Sequence, residues 1–344
     1  MSVLEVRNLT VEFGQRGGPK LRAVDSLSFA LHEGQTLALV GESGSGKSTV
    51  VRAVGQLVKS KSGEILLNGR PAGRRGSALR SYRHKVQMVF QDPFASLNPM
   101  HTVRHHVVRP LLLRPGHPRG AALEEAVHDL LRSVNLTPPE EIAGKHPHEL
   151  SGGQRQRVAI ARALATDPDV LLADEPVSML DVSIRLEILN LLDRLKRDRN
   201  LALLYVTHDL ATARHFSSEI MVMYQGEIVE RGPSDEVILN PSHPYTQILA
   251  NAAPDPAASR ASLAAARETR QSARAARTAE HREVVAAGGC RFRTRCPFAM
   301  DICAQHPADL EAAPGHLARC WLYSGASEGG VAAVNGTQAR RGQA

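Results

Sequence analysis

Residues suited to phosphate chemistry fall in three short stretches. Gly41, Gly46, Lys47 and Ser48 stand in GESGSGKST (Gly41 to Thr49) at the spacing G-x-x-x-x-G-K-S. Glycine lets backbone N–H groups turn inward onto a phosphate with no Cβ in the way. A helix beginning at Lys47 would aim its positive N-terminal end at the same point. Lys47 then reaches the β- and γ-phosphates, Ser48 ligates Mg²⁺, Thr49 contacts the α-phosphate, and Ser43 and Gly44 complete the ATP cradle. The second stretch, VLLADEP (Val170 to Pro176), would deliver Asp174 and Glu175 at the C-terminal end of an apolar strand, where α/β sheets bind ligands. Asp174 suits Mg²⁺, largely through water. Glu175 suits the general base that polarises an attacking water. An Asp-Glu pair on a solvated surface is the plain alternative, and His208 in the third stretch, VTHD, weighs against it.

Strand and helix must alternate to position these groups. Strands are expected over Leu4–Phe13, Ala23–Leu31, Thr36–Val40 and Glu64–Leu67, the last turning at Asn68-Gly69. Helices are expected over Lys47–Leu57, Ala121–Val134 and Gly152–Thr166. The chain then alternates through Val170–Ala173, Ser183–Arg199, Leu201–Thr207 and Asp209–Phe216, with a hairpin of Ile220–Tyr224 and Glu227–Glu230 about Gln225-Gly226. Such alternation implies a parallel sheet covered by helices, with a helical subdomain inserted near residues 92–165. Residues 251–287 are rich in Ala, Arg and Ser and read as a linker or a frayed helix. A compact cysteine-bearing segment follows over 288–323, and the Gly/Ala/Ser-rich tail 324–344 is expected to be disordered.

Composition bounds the function. The chain has 344 residues and a formal charge of +7, which suits a nucleotide binder or a protein docked near anionic lipid. Only 4% of residues are aromatic and no basic stripe is interleaved with them, which argues against nucleic acid as a partner. LEVRNLTVEF alternates like a strand almost from the first residue, so no leader is expected. No run of eighteen apolar residues is present, so the chain is not expected to span a membrane by itself.

A fourth stretch, LSGGQ (Leu150 to Gln154), falls between the first two. With it the chain resembles the ATP-binding subunits of ABC transporters. FQDPFASLNP (Phe90 to Pro99), HPHELSGGQRQRVAIARAL (His146 to Leu164) and HPYTQ (His243 to Gln247) narrow the resemblance to the oligopeptide and dipeptide importers, over about residues 3–323. The resemblance implies an α/β fold: a P-loop NTPase cassette (residues 1–250) with an antiparallel β subdomain, a RecA-like parallel sheet and an inserted helical subdomain. It implies an ATPase in which Leu150, Ser151, Gly152, Gly153 and Gln154 cap the ATP held by a second cassette, in a homodimer or a heterodimer. Gln91 matches the residue that senses Mg²⁺ and the water and signals to the membrane subunits. His208 matches the switch histidine and Asp181 the aspartate at the dimer seam. Glu175, His208, Gln91 and Lys47 form the catalytic set, and Ser48, Gln91 and Asp174 the Mg²⁺ set. Phe13 is the adenine-stacking candidate, with a place in the core as its alternative. After Pro176 the chain reads VSML where relatives often have TSAL, keeping Ser178 and Asp181. Expected partners are two transmembrane permease subunits and an extracytoplasmic solute-binding protein, at the cytoplasmic face of the plasma membrane. Sugar or nickel import, or service to an enzyme complex such as carbon–phosphorus lyase, are the alternatives.

Cys290, Cys296, Cys303 and Cys320 are the chain's cysteines. No C-x₂₋₄-C pair is present, which disfavours zinc. Four thiolates suit a [4Fe–4S] cluster in ligand type, and free structural cysteines are the alternative. The segment also resembles the C-terminal cysteine motif of the peptide-importer ATPases, some of which carry such a cluster.

Overall fold

The computed structural model describes residues 2–14, 21–251 and 288–324. Most of the linker 251–287 and of the tail 324–344 read from the sequence therefore lies outside the described residues. The N-terminal part is built from β1 (Ser2–Phe13), β2 (Leu21–His32), β3 (Thr36–Val40), α1 (Lys47–Val54), β4 (Ser62–Leu67) and β5 (Arg70–Pro71). Strands β2-β1-β4-β5 pair antiparallel into one sheet. Asn68 and Gly69 turn β4 into β5 with φ of 49° and 72°, the two left-handed residues of a tight hairpin.

The second sheet receives β3 at its centre. It is completed by α2 (Gly76–Lys85), β6 (Val86–Val89), α3 (Pro93–Ser96), α4 (Val103–Leu111), α5 (Ala121–Ser133), α6 (Pro139–Gly144), α7 (Gly152–Leu164), β7 (Val170–Asp174), α8 (Val182–Arg199), β8 (Ala202–Thr207), α9 (Leu210–Phe216), β9 (Glu219–Tyr224) and β10 (Glu227–Pro233). After α10 (Ser234–Leu239) and α11 (Pro244–Asn251) come β11 (Leu310–Ala313) and β12 (His316–Ala318). The strand order is β11-β12-β10-β9-β3-β8-β7-β6. From β9 to β6 the pairs are parallel, and β10, β12 and β11 are added antiparallel at one edge.

Strands β3, β7 and β8 are buried along their whole length because both faces of the sheet are covered. Their side chains alternate between two cores. Ala38, Val40, Leu171, Ala173, Leu203 and Tyr205 pack with the helices α7, α8 and α9. Leu37, Leu39, Val170, Leu172, Leu204 and Val206 pack with α1 and the antiparallel sheet. The strand period of two thus joins three layers. The helical insert, Pro93 to Leu164, is closed by Val103, Val107 and Leu111 on one face of α4, against Val127, Leu130 and Leu131 of α5 and Val158 of α7.

Among the elements absent from the sequence reading, helix α2 buries only Tyr82, and β6 is only 4 residues long and becomes a strand by pairing with β7. Helix α1 is shorter than read: it ends at Val54, with Gly55 as its C-cap. The cysteine lobe, read as a compact segment of its own, continues the main sheet through β12 on β10. Buried Glu230 fixes that junction: it meets His316 Nε2 at 2.6 Å and accepts from the backbone N–H groups of Ser242 (2.7 Å) and His243 (2.8 Å).

Candidate active site

The loop between β3 and α1 needs its glycines for steric reasons that the structure makes specific. A Cβ on Gly41 would lie 2.2 Å from the Met223 carbonyl oxygen, and one on Gly46 would lie 2.3 Å from that of Ala23. Gly44 and Gly46 also have φ of 85° and 110°. Lys47 is only 4% exposed, and its Nζ donates to the carbonyls of Gly41 (2.7 Å) and Glu42 (2.9 Å). An ammonium has three donors, so one is left for a ligand. The buried hydroxyl of Ser45 has no partner among the described residues, a polar atom suited to a phosphate oxygen in this loop. Ser43 and Gly44 are exposed on the loop and Thr49 is half-buried in α1.

Ser48 Oγ donates to Asp174 Oδ1 at 3.0 Å, bringing together two oxygen donors from α1 and β7. Burial pushes the Asp174 carboxyl above its ordinary range, against the hydrogen bond from Ser48. Burial likewise pushes the Lys47 ammonium down, against the pull of Glu175, Asp174 and Glu42. Both groups lie where their charges are poorly solvated, so a triphosphate and a hard divalent cation would supply the missing counter-charges. The Ser48–Asp174 oxygen pair fits Mg²⁺ in donor type.

Beside this pair, three strand ends converge on one carboxylate. Glu175 follows β7 with φ of 46°, and its N–H donates to the Val206 carbonyl of β8 at 3.0 Å. Its Oε2 accepts from Gln91 Nε2 at 3.3 Å and lies 3.2 Å from His208 Nδ1. Gln91 follows β6 and His208 follows β8, and both strands flank β7 in the sheet. The sheet order therefore assembles residues 84 and 33 positions away around Glu175.

The remaining sequence-predicted residues lie elsewhere. Ser151 caps α7: its Oγ accepts from the Gln154 N–H at 3.2 Å, and Gln154 Oε1 accepts from the Ser151 N–H at 2.9 Å. This reciprocal box satisfies two helix-end donors and leaves Gly152 and Gly153 at the positive end of a 13-residue helix. A Cβ on Gly153 would press to 2.8 Å from Ile184 Cγ2, so glycine also lets α7 approach α8. Among the described residues no hydrogen bond or ion pair joins Leu150–Gln154 to Gly41–Thr49. Asp181 is exposed before α8, among exposed Met179, Val182 and Leu186. Phe13 is 44% exposed at the end of β1, which overturns its alternative place in the core.

The four cysteines are free thiols gathered in one lobe. Burial pushes the Cys290 and Cys296 thiols up and raises Cys320 to about 11, with the other three cysteines adding to the Cys320 shift. The Cys290 N–H donates to the Cys303 carbonyl at 3.0 Å. In donor type the set fits an iron–sulfur cluster. In placement it does not: among the described residues no three His, Cys, Asp or Glu side chains form a group arranged to hold a metal ion.

Comparison with known proteins gives a consistent picture. A family model described as ABC transporter matches residues 24–178, and one described as oligopeptide/dipeptide transporter, C-terminal region, matches residues 229–303. Oligopeptide transport ATP-binding protein AppF of Bacillus subtilis is 40% identical over 336 residues, covering 94% of this chain and 98% of that protein. Oligopeptide transport ATP-binding protein OppF of Salmonella typhimurium is 40% identical, covering 92% of this chain and 95% of its own length. Among solved structures, a dimeric ATP-binding cassette in a post-hydrolysis state bound to ADP and Pi matches with a TM-score of 0.59 at 31% identity, covering 67% of this chain and 98% of that one. A cbiO subunit from Clostridium perfringens, part of an ABC transporter complex, matches with a TM-score of 0.61 at 27% identity over 70% of this chain and 91% of that one.

Proposed function

The chain belongs to the ABC transporter ATP-binding proteins of the oligopeptide type, and on that premise we propose that it is the ATP-hydrolysing subunit of an importer of oligopeptides or dipeptides. The observation that carries the reading is the meeting of Gln91 and His208 on one oxygen of Glu175, next to the Ser48–Asp174 pair. Phosphoryl transfer asks mainly for positioning and charge neutralisation, and these residues supply both.

Gly41, Ser43, Gly44, Gly46 and Thr49 cradle the phosphates, and Lys47 turns its free donor to the β- and γ-phosphates. Phe13, exposed at the end of β1, offers a ring to the adenine. Ser48, Asp174 and Gln91 would hold Mg²⁺, which when bound would neutralise charge on the phosphates. Glu175 takes a proton from the attacking water and His208 donates to the γ-phosphate. Gln91 occupies Glu175 Oε2, so it must move aside for a water to reach that oxygen, and the glutamine thereby couples catalysis to whatever displaces it.

The displacing partner is a permease. Phe90, His101, His105 and Leu113 line an open groove of about 480 Å³ between the sheet and the helical insert, one residue from Gln91. One of two transmembrane permease subunits docks there, the other on the second cassette, and an extracytoplasmic binding protein delivers the solute, so the chain works at the cytoplasmic face of the plasma membrane. Among the described residues no helix is long and apolar enough to cross a membrane. The signature Leu150–Gln154 serves the ATP of a second cassette, and Asp181 with exposed Met179, Val182 and Leu186 forms part of that seam. ATP then stabilises the closed pair by mass action and hydrolysis releases it.

The [4Fe–4S] reading of Cys290, Cys296, Cys303 and Cys320 rests on their number, type and common lobe alone; their placement among the described residues does not fit a cluster, and no step of hydrolysis runs through one. The importer reading is tested by reconstituting the chain with its permeases and partner cassette in vesicles. ATP-dependent peptide uptake that Glu175→Gln abolishes is expected, and hydrolysis without uptake of any peptide would overturn the cargo.

A further inference from the structure

Glu42, the second residue of the phosphate loop, is held at every polar group. Its N–H donates to the Tyr245 hydroxyl at 2.9 Å, and its carbonyl accepts from Lys47 Nζ at 2.9 Å. Its carboxylate accepts a two-pronged contact from Arg295, with Nη2 to Oε1 at 3.0 Å and Nη1 to Oε2 at 3.1 Å. Tyr245 lies 203 residues away in α11 and Arg295 lies 253 away in the cysteine lobe. Neither contact belongs to the loop's own strand-loop-helix unit.

The lobe that presents Arg295 is firmly seated. Arg291 donates to the Gln225 carbonyl and pairs with Asp25 and, at 2.9 Å, with Glu227. The Tyr323 hydroxyl donates to the Ser242 carbonyl at 2.9 Å. Arg295 sits over the rings of Tyr224 and Phe292 at 5.7 and 5.6 Å, and buried Tyr245 packs against both rings. Both arginines fall between Cys290 and Cys296, so they are carried by the same short segment as two of the thiols.

We propose that Arg295 and Tyr245 are positioning residues for the phosphate loop, so that the cysteine lobe helps set the affinity of this chain for Mg-ATP. The inference rests on the ATPase reading above. Two physical effects combine. A carboxylate in a loop that receives a triphosphate repels it, and the guanidinium fork cancels that charge while fixing the side chain. The Tyr245 hydroxyl occupies the Glu42 N–H and so fixes the loop's backbone at its first turn. The pair is partly exposed, with 28% of the Arg295 and 44% of the Glu42 side chain open to solvent, so screening limits its strength.

The test measures equilibrium binding of Mg-ATP to the full chain. Arg295→Ala is expected to weaken binding roughly three- to tenfold. Adding Glu42→Gln to that variant should recover most of the loss, because the uncompensated carboxylate is gone. Tyr245→Phe keeps the packing, strands the Glu42 N–H and should weaken binding by itself, which keeps the test decisive if Arg295→Ala fails to fold. Wild-type affinity in Arg295→Ala, or in Tyr245→Phe where the former cannot be purified, overturns the proposal. So does a double variant no better than Arg295→Ala, since Arg295 would then act other than through Glu42. A wild-type chain that binds no Mg-ATP would instead sink the ATPase reading itself.

Discussion

Glu175 Oε2 and His208 Nδ1 lie 3.2 Å apart across the ends of two neighbouring parallel strands, with Gln91 Nε2 3.3 Å from the same oxygen. One carboxylate thus takes contacts from two groups to which the proposed function gives separate roles. Such a shared oxygen makes the site sensitive to small movements of either strand end, because each contact competes for the same lone pairs.

Removing the base tests this directly. Glu175→Gln should lower the ATP hydrolysis rate by about 10²- to 10⁴-fold, the usual contribution of a positioned general base. ATP should then accumulate in a stable pair of cassettes, seen as an ATP-dependent shift to dimer by light scattering. Hydrolysis near the wild-type rate would remove Glu175 from that role.

Lys47→Ala deletes the buried cation of the phosphate loop. Nucleotide binding measured by equilibrium titration should fall by about tenfold or more, since a charged hydrogen bond to a phosphate is lost inside a poorly solvated loop. Unchanged binding would mean that the loop does not hold phosphates.

Gly41→Ala probes the loop sterically. The new methyl would meet the Met223 carbonyl at 2.2 Å, which forces backbone to move. A loss of about 1–3 kcal/mol is expected, the usual range for overpacking. Chemical denaturation with a two-state fit reads it, and a loss under about 0.5 kcal/mol would show that the loop yields easily.

His243 is buried, its Nδ1 accepts from the Tyr245 N–H at 3.0 Å, and burial pushes its pKa down to about 4. Folded protein therefore keeps it neutral while the unfolded chain protonates it near pH 6.5. The unfolded state binds more protons between these values, so this group's contribution to stability falls as pH drops from about 6.5 towards 4. The slope is at most about 1.4 kcal/mol per pH unit. Unfolding free energies at pH 7 and pH 5 should show it. His243→Asn, which keeps an acceptor near Nδ1, should flatten the difference, and an equal slope in both proteins would rule His243 out as its source.

Protein purified without oxygen should contain iron and acid-labile sulfide if Cys290, Cys296, Cys303 and Cys320 hold a [4Fe–4S] cluster. Cys303→Ser should reduce both. An iron-free, fully folded wild-type chain would leave the cysteines as structural thiols, which agrees with their placement among the described residues.

The sequence by itself determined the parts of the site made of contiguous residues. The phosphate loop, the Asp174-Glu175 pair and the helix beginning at Gly152 are legible because strand, turn and helix signals lie within a few residues of the chemistry. The hairpin at Gln225-Gly226 is legible for the same reason, and both residues take left-handed φ there. Tertiary structure alone decided what pairs across long separations. Strand β6 exists through its ladder with β7, and the order β8-β7-β6 is what brings His208, Glu175 and Gln91 to one point. Likewise β12 on β10 docks the cysteine lobe, and only that docking sets Arg295 against Glu42. Local periodicity encodes which face of an element is apolar, whereas contacts between residues 253 positions apart depend on how the faces are stacked. The stacking energy is spread over two cores rather than written in any one segment.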